Sequence, residues 1–221
     1  MDVNWQKTFN ETGDLIYPND GTQKKGQLND GSGTTPTLMD DRFVIIADND
    51  ARQINVNIYA QKDGQLVGRH SVFAIDSSAC ENSVVAYKNS FFIGNRYIYT
   101  DQFDFNDTPG EIDRFDYNEQ TGKFERIDNW PAEHIDGKTA TPKMSTATGV
   151  IYVYNRQEES DDGHNDWQLT AIDYETGRKV FYIRPDFEKG QFNENISFLM
   201  KSFSMGLKNY DQKVFNNIWA T

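Results

Sequence analysis

The chain has 221 residues, 37% of them hydrophobic, which is enough to bury a substantial core within one domain. Its 34 acidic and 22 basic residues give a net charge of −12, which argues against nucleic acid as a partner because a phosphate backbone needs a basic footprint. The sequence has no apolar stretch of bilayer-spanning length, and its single cysteine, Cys80, cannot form an internal disulfide. The polar start at Met1 does not resemble a secretory signal, so the sequence leaves the compartment open.

The first predicted elements form the second half of a repeating unit. Val3–Phe9 and Leu15–Tyr17 flank a Thr-Gly turn at Gly13, which is typical of a β-hairpin. Residues 18–33 are dense in Gly, Asp, Asn and Lys, and this composition predicts an irregular connector before the first complete unit.

Each following unit opens with a small polar signature and continues into two apolar strands. The paired segments are Thr35–Met39 with Phe43–Ile46, Glu81–Val85 with Ser90–Ile93, Thr141–Met144 with Val150–Tyr154, and a weaker fourth copy, Glu194–Phe198 with Ser202–Gly206. Short apolar and alternating runs between turn residues are the signal for β-strands.

The second half of each unit is a hairpin around a recurring glycine. Gly13, Gly64, Gly122 and Gly177 are separated by 51, 58 and 55 residues. Two strands before each hairpin and two in it give four strands per unit, which at this period predicts a β-propeller blade. We therefore expect an all-β fold, a single domain over 1–221, built from about four four-stranded blades.

The chain begins and stops within half-units, and two arrangements remain open. The terminal half-units pair and close a four-blade ring, or the chain is part of a larger or oligomeric propeller. The second arrangement would involve self-association through open blade edges, because unpaired strand edges must be covered.

The segment Ala171–Phe181, with its Asp-Tyr-Glu-Thr-Gly turn, resembles the quinoprotein-like, or PQQ-like, propeller repeat. The resemblance extends over about residues 34–187, with phenylalanine (Phe73, Phe124 or Phe181) where the family repeat has tryptophan. It implies a propeller architecture. The family's dehydrogenases hold their quinone against a tryptophan and a disulfide of adjacent cysteines in an eight-bladed ring. With Cys80 alone, PQQ binding and dehydrogenase activity are not expected.

Propeller geometry brings the start of each innermost strand and the end of each second strand to one face of the disc. The openings are Thr35, Glu81, Thr141 and Glu194, followed by Pro36, Asn82, Pro142 and Asn195; the ends are Asn49–Asp50, Asn95–Arg96, Asn155–Arg156 and Asn209–Tyr210. The recurring asparagine is explained by turn capping and tolerance of left-handed backbone.

The charges beside these asparagines break the repeat and are candidates for binding. The predicted ligand-binding residues are Arg96, Arg156, Glu81, Asn82, Glu194 and Asn195. Arginine offers bidentate contacts to anionic groups, so this set predicts a binding or scaffold module with a small polar or anionic ligand at the channel mouth. The same charges are also compatible with ion pairs between blades.

An enzymatic alternative, a hydrolase, lyase or transferase on the same face, would use His134 as general base with Glu81 or Glu194. His70, beside Arg69 in a strand, is interpreted as a packed or edge histidine.

One acidic loop offers oxygen ligands of the kind that Ca²⁺ takes. The candidates are Asp101, Asp104, Asn106 and Asp107. Their spacing does not match the calcium-hand loop, so a solvated turn is the competing interpretation.

Overall fold

Alternating apolar and polar residues form twelve β-strands in the part of the chain that the structure, a computed structural model, describes. The described residues are 5–6, 31–32, 34–50, 52–97, 111–132, 135, 141–156 and 167–183. They belong to the first of two compact units, Met1–Ile183 and Arg184–Thr221. Among these residues, no helix has the length and apolar character needed to cross a membrane. The predicted connector at 18–33 is described only at Gly31 and Ser32.

The strands pair in chain order into three four-stranded antiparallel sheets. The first sheet contains β1 (Thr37–Met39), β2 (Phe43–Ala47), β3 (Asn55–Ala60) and β4 (Leu66–Ser71). The second contains β5 (Val85–Tyr87), β6 (Ser90–Gly94), β7 (Ile112–Asn118) and β8 (Lys123–Arg126). The third contains β9 (Lys143–Ser145), β10 (Val150–Arg156), β11 (Trp167–Asp173) and β12 (Lys179–Ile183). The all-β prediction and three of its four-stranded units are confirmed; the weaker fourth copy lies outside the described residues.

The hairpin between the third and fourth strands of each sheet turns at the predicted glycine. Gly64, Gly122 and Gly177 have φ of +69°, +66° and +69°. Each glycine amide donates to the carbonyl four residues earlier at 2.8–2.9 Å. Residues that carry a Cβ rarely adopt this left-handed backbone conformation. This restriction explains why glycine recurs at the turn.

The second sheet lies between the other two and is apolar on both faces. Strand β6 is buried throughout. Phe91 belongs to the core shared with the first sheet, where it joins Ile45 and Ile58, whereas Phe92 belongs to the core that contains Ile151. Successive residues of a strand point to opposite faces, so a continuous apolar run fits a sheet covered on both sides.

The first strands of the three sheets lie side by side. Thr35 N donates to Ser83 Oγ at 3.0 Å, and Ser83 N donates to Thr141 Oγ1 at 3.3 Å. Thr37 Oγ1 donates to the Val84 carbonyl at 2.6 Å. The first segments of three consecutive units are therefore in direct contact. Closure of the sheets into a propeller ring stays a prediction.

Two tryptophans pack on the glycine turns of the outer sheets. Trp130 Nε1 donates to the Tyr174 carbonyl at 3.0 Å, and a Cβ added to Gly177 would lie 2.8 Å from Trp130 Cδ1. Trp5 Nε1 donates to the Gln61 carbonyl at 2.8 Å, and a Cβ on Gly64 would lie 2.7 Å from its ring. Sequence reasoning missed both contacts.

An ion pair within β7 contains a buried arginine that also contacts the hairpin of the third sheet. Arg114, 7% exposed, donates from Nε and Nη2 to the two carboxylate oxygens of Asp116, each at 2.7 Å. Its Nη1 donates to the Tyr174 carbonyl, and its guanidinium lies 4.3 Å from the Tyr174 ring centroid. The buried guanidinium thus donates to acceptors from all three of its nitrogens, as the burial of a charge requires.

Candidate functional site

The ends of the second strands form a polar end of the sheet stack. Asn49 and the Cys80 backbone exchange two hydrogen bonds, at 2.8 and 2.9 Å. Asn95 accepts from the Ala79 amide at 3.2 Å and donates to the Ser77 carbonyl at 2.9 Å. The side chains of these two asparagines hydrogen-bond the connector between the first and second sheets, which is a structural role. Neither residue has a positive φ, so the expected left-handed backbone is wrong at Asn49 and Asn95.

Three of the predicted ligand-binding residues lie on or beside this connector. Glu81 Oε1 accepts from Asn49 Nδ2 at 3.1 Å, and the Arg96 amide donates to the Ala79 carbonyl at 2.8 Å. Asn82 is 9% exposed, and no described residue accepts a hydrogen bond from its Nδ2. A binding role for Glu81, Asn82 and Arg96 stays a prediction.

The remaining predicted residues cannot be placed as a group. The backbone of Arg156 pairs with Trp167 at the end of β10. The following predicted residues lie outside the described residues: His134, Glu194, Asn195, Asp101, Asp104, Asn106 and Asp107. Among the residues that are described, no group of three or more His, Cys, Asp or Glu side chains could hold a metal ion.

His70 occupies the core side of β4. Its ring centroid lies 5.3 Å from that of Phe115 and 6.4 Å from that of Phe124. Burial among these rings lowers the pKa of His70, because the charged imidazolium loses its hydration there. The prediction of a packed histidine is confirmed.

The first sheet carries a polar cleft of about 390 Å³ that sequence reasoning missed. It lies where β2 and β4 end and β3 begins, at the same end of the sheets as Glu81. Its lining residues are Asp50, Arg52, Gln53, Asn55, Arg69 and Ser71. Of these, only Asp50 was predicted to lie at this end.

A fully buried carboxylate stabilises one wall of the cleft. Asp48 accepts hydrogen bonds from the Asn55 amide at 2.9 Å, from Asn57 Nδ2 at 2.9 Å and from the Asp50 amide at 3.2 Å. Asn55 Nδ2 also donates to Asp48 at 3.1 Å, and Ser71 Oγ donates to Asn55 Oδ1 at 2.8 Å. These bonds fix the wall and use the hydrogen-bonding capacity of the Asn55 side chain.

Two arginines supply the positive charge of the cleft. Arg69 Nη2 lies 3.3 Å from Asp50 Oδ2 and 4.0 Å from Asp48 Oδ2, and the Arg69 side chain is 21% exposed. No described residue accepts a hydrogen bond from Arg69 Nε or Nη1. The exposed Arg52 forms a two-point contact with Asp76 at 3.1 and 2.9 Å, which raises the pKa of Arg52.

Gln53 adds a hydrogen-bond acceptor to the cleft. Its Nε2 donates to the Phe73 carbonyl at 2.7 Å, which fixes the orientation of the amide. Its Oε1 is an acceptor that no described donor uses. The cleft therefore offers guanidinium donors beside a carboxylate and an amide oxygen, an arrangement that suits a small polar ligand.

Comparisons with known proteins give distant similarity. No family model matches the chain. An uncharacterized protein of Archaeoglobus fulgidus is 24% identical over 212 residues, an alignment that covers 82% of this chain and 41% of that protein. The chain thus spans about two fifths of the length of this curated relative.

Proposed function

We propose that the chain is a β-propeller-type binding module with quinoprotein-like repeats. Three consecutive four-stranded sheets, each pairing its strands in chain order, support the assignment of the sheets as blades. The contacts between Thr35, Ser83 and Thr141 join the segments before the first strands of the three sheets, and such contacts are expected of blades around an axis.

The module binds a small polar or anionic ligand at the polar end of the sheets. The observation that carries this proposal is the cleft of the first sheet, where the Arg69 guanidinium lies beside the Asp50 carboxylate among polar groups that line the same cleft. The volume of about 390 Å³ is within the range of small-molecule sites, and several polar groups converge on the cleft. Glu81, Asn82 and Arg96 stay a second candidate position, at the channel mouth.

The binding proposal is tested by calorimetric titration of the protein with four classes of small molecule: a monocarboxylate, a phosphate, a neutral disaccharide and an amino acid. We expect at least one class to bind, with affinity reduced at least tenfold by Arg69→Gln. Arg52→Gln, at a side chain 71% exposed, is a second variant that leaves the fold intact. Arg178→Gln removes the same charge from an exposed turn of the third sheet and is the matched control.

Two results would reject the binding proposal. One is the absence of binding by every class at millimolar concentration. The other is binding that Arg69→Gln and Arg178→Gln weaken equally, because the loss would then reflect overall charge. If Asn82→Ala weakens binding and Arg69→Gln does not, the ligand site would be assigned to the channel mouth.

The blade assignment is tested by small-angle X-ray scattering with light scattering in the same run. A ring of blades, closed within one chain or between copies, gives a flat disc with a central channel. An elongated particle, with sheets stacked along a line, would contradict the propeller. The molecular mass then distinguishes a ring closed within one chain from self-association through open edges.

A further inference from the structure

The lining of the cleft narrows the chemical class of its ligand, an inference that rests on the proposed function. The described lining residues are all polar or charged: Asp50, Arg52, Gln53, Asn55, Arg69 and Ser71. A polar group that loses its contact with water needs a new hydrogen-bond partner, and an apolar ligand surface supplies none. The ligand should therefore carry hydrogen-bonding groups on every side.

The positive charge of Arg69 lies beside Asp48, a carboxylate that is fully buried. The hydrogen bonds that this carboxylate accepts come from neutral amide groups of Asp50, Asn55 and Asn57. Arg69 Nη2 lies 4.0 Å from Asp48 Oδ2, and charges attract more strongly where water is excluded. An anionic ligand would compete with Asp48 for the same guanidinium, whereas a neutral ligand would not.

Two lining residues offer hydrogen-bonding groups of opposite kind. Arg69 bonds Asp50 through Nη2, and no described residue accepts from its Nε or Nη1. No described donor uses Gln53 Oε1, and the amide is held by the bond from Nε2 to the Phe73 carbonyl at 2.7 Å. A hydroxyl group both accepts and donates, so hydroxyls complement the guanidinium as well as the amide oxygen. An ionised carboxylate only accepts, and it would leave Gln53 Oε1 without a donor.

We propose that the cleft binds a small neutral polyol, a molecule with hydroxyl groups on neighbouring carbon atoms. One hydroxyl accepts a hydrogen bond from the Arg69 guanidinium, and another donates to Gln53 Oε1. The ligand leaves the contact between Arg69 and Asp48 in place, because it brings no charge. Hydroxyl groups around its perimeter match a lining that is polar throughout.

The polyol assignment is tested by NMR titration of the whole chain with three neutral polyols and their charged counterparts. The pairs are glycerol with glycerate, erythritol with erythronate, and myo-inositol with inositol monophosphate. We expect at least one neutral polyol to bind, at least tenfold more tightly than its charged counterpart. Its affinity should change less than twofold between about 20 and about 500 mM sodium chloride, because salt screens charges and not neutral hydroxyl groups.

Two variants test whether the polyol lies in the cleft. Gln53→Ala removes the amide oxygen and should weaken binding at least fivefold. Gln65→Ala, at an exposed position in the β3–β4 hairpin of the same sheet, is the matched control and should leave the affinity unchanged. Arg69→Lys keeps a positive charge near Asp48 but lacks the planar set of donors, so it should weaken binding too. It provides the second test if Gln53→Ala, which also loses the bond to the Phe73 carbonyl, lowers the melting temperature.

The outcomes separate this inference from the proposed function. A charged counterpart that binds as tightly as its neutral polyol would overturn the polyol assignment and leave the binding module in place. Equal weakening by Gln53→Ala and Gln65→Ala would also overturn it, because the polyol would then lie elsewhere. If none of the six molecules binds while a member of the earlier panel does, only the polyol assignment fails. If neither panel contains a ligand, both proposals fail.

Discussion

Gly177→Ala is predicted to destabilise the protein through two separate effects. The residue has φ of +69°, so alanine would occupy the left-handed region at a cost of about 1–2 kcal/mol. Its new Cβ would also lie 2.8 Å from Trp130 Cδ1 and 2.9 Å from the Ala132 nitrogen. Inserting a methyl group into such a close contact costs about 1–3 kcal/mol. The free energy of unfolding should therefore fall by about 2–5 kcal/mol.

The turn has little freedom to relax away from this contact. The Ala132 amide donates to the Gly177 carbonyl at 2.9 Å, and Trp130 Nε1 is bonded to the Tyr174 carbonyl in the same hairpin. Moving the turn outward would lengthen both hydrogen bonds. The steric strain of the alanine variant should therefore lower the free energy of unfolding.

Gly149→Ala is the matched control in the same sheet. Gly149 has φ of +68°, and a Cβ there would meet nothing within 4 Å, so this variant has only the backbone cost. Urea unfolding of both variants should show Gly177→Ala to be the less stable by about 1–3 kcal/mol. In a Trp130→Ala background this difference should shrink. Equal losses for the two glycines would refute the argument that the Trp130 contact requires glycine.

Two further predictions concern the core. Arg114→Met should lower the free energy of unfolding by about 1.5–3 kcal/mol, because it removes two charge-assisted hydrogen bonds from the half-buried Asp116 carboxylate. The same change at the exposed Arg42 should cost at most about 1 kcal/mol, and equal losses of the two variants in urea unfolding would contradict a larger stabilising role for Arg114. Burial lowers the pKa of His70 below its usual 6.5, so the unfolded chain binds more protons and stability should decrease as pH falls from 6.5 towards the folded pKa. His70→Leu should lack this part of the pH dependence, and an unchanged unfolding profile against pH would exclude His70 as its source.

Local sequence patterns predicted the strands and their turns. The apolar run Phe43–Ile46 and the hairpin at Gly64 were predicted from alternation and turn chemistry, and both lie in the first sheet. These features depend on neighbouring residues only. The packing of Trp5 and Trp130 on glycine turns joins residues more than 40 positions apart, which no local pattern indicates.

The candidate site was predictable only in part. The end of β2 was recognised from the repeated asparagine, which brought Asn49 and Asp50 to the correct end of the sheet. Arg69 was missed because it lies within a strand, next to His70, and its direction depends on the register of β3 and β4. That register shifts at a bulge between Ile58 and Tyr59. Side chains on the two sides of a bulge cannot be assigned to a face by counting alternate residues.

The neighbours Phe91 and Phe92 lie in different cores, and this arrangement limits how the repeat can change in evolution. A unit whose second strand is apolar on both faces needs a neighbour on each side. Deleting the first or the third sheet would expose one of these phenylalanines to water, whereas duplicating the second sheet would bury both again. Gain of whole units should therefore be tolerated more readily than loss of one.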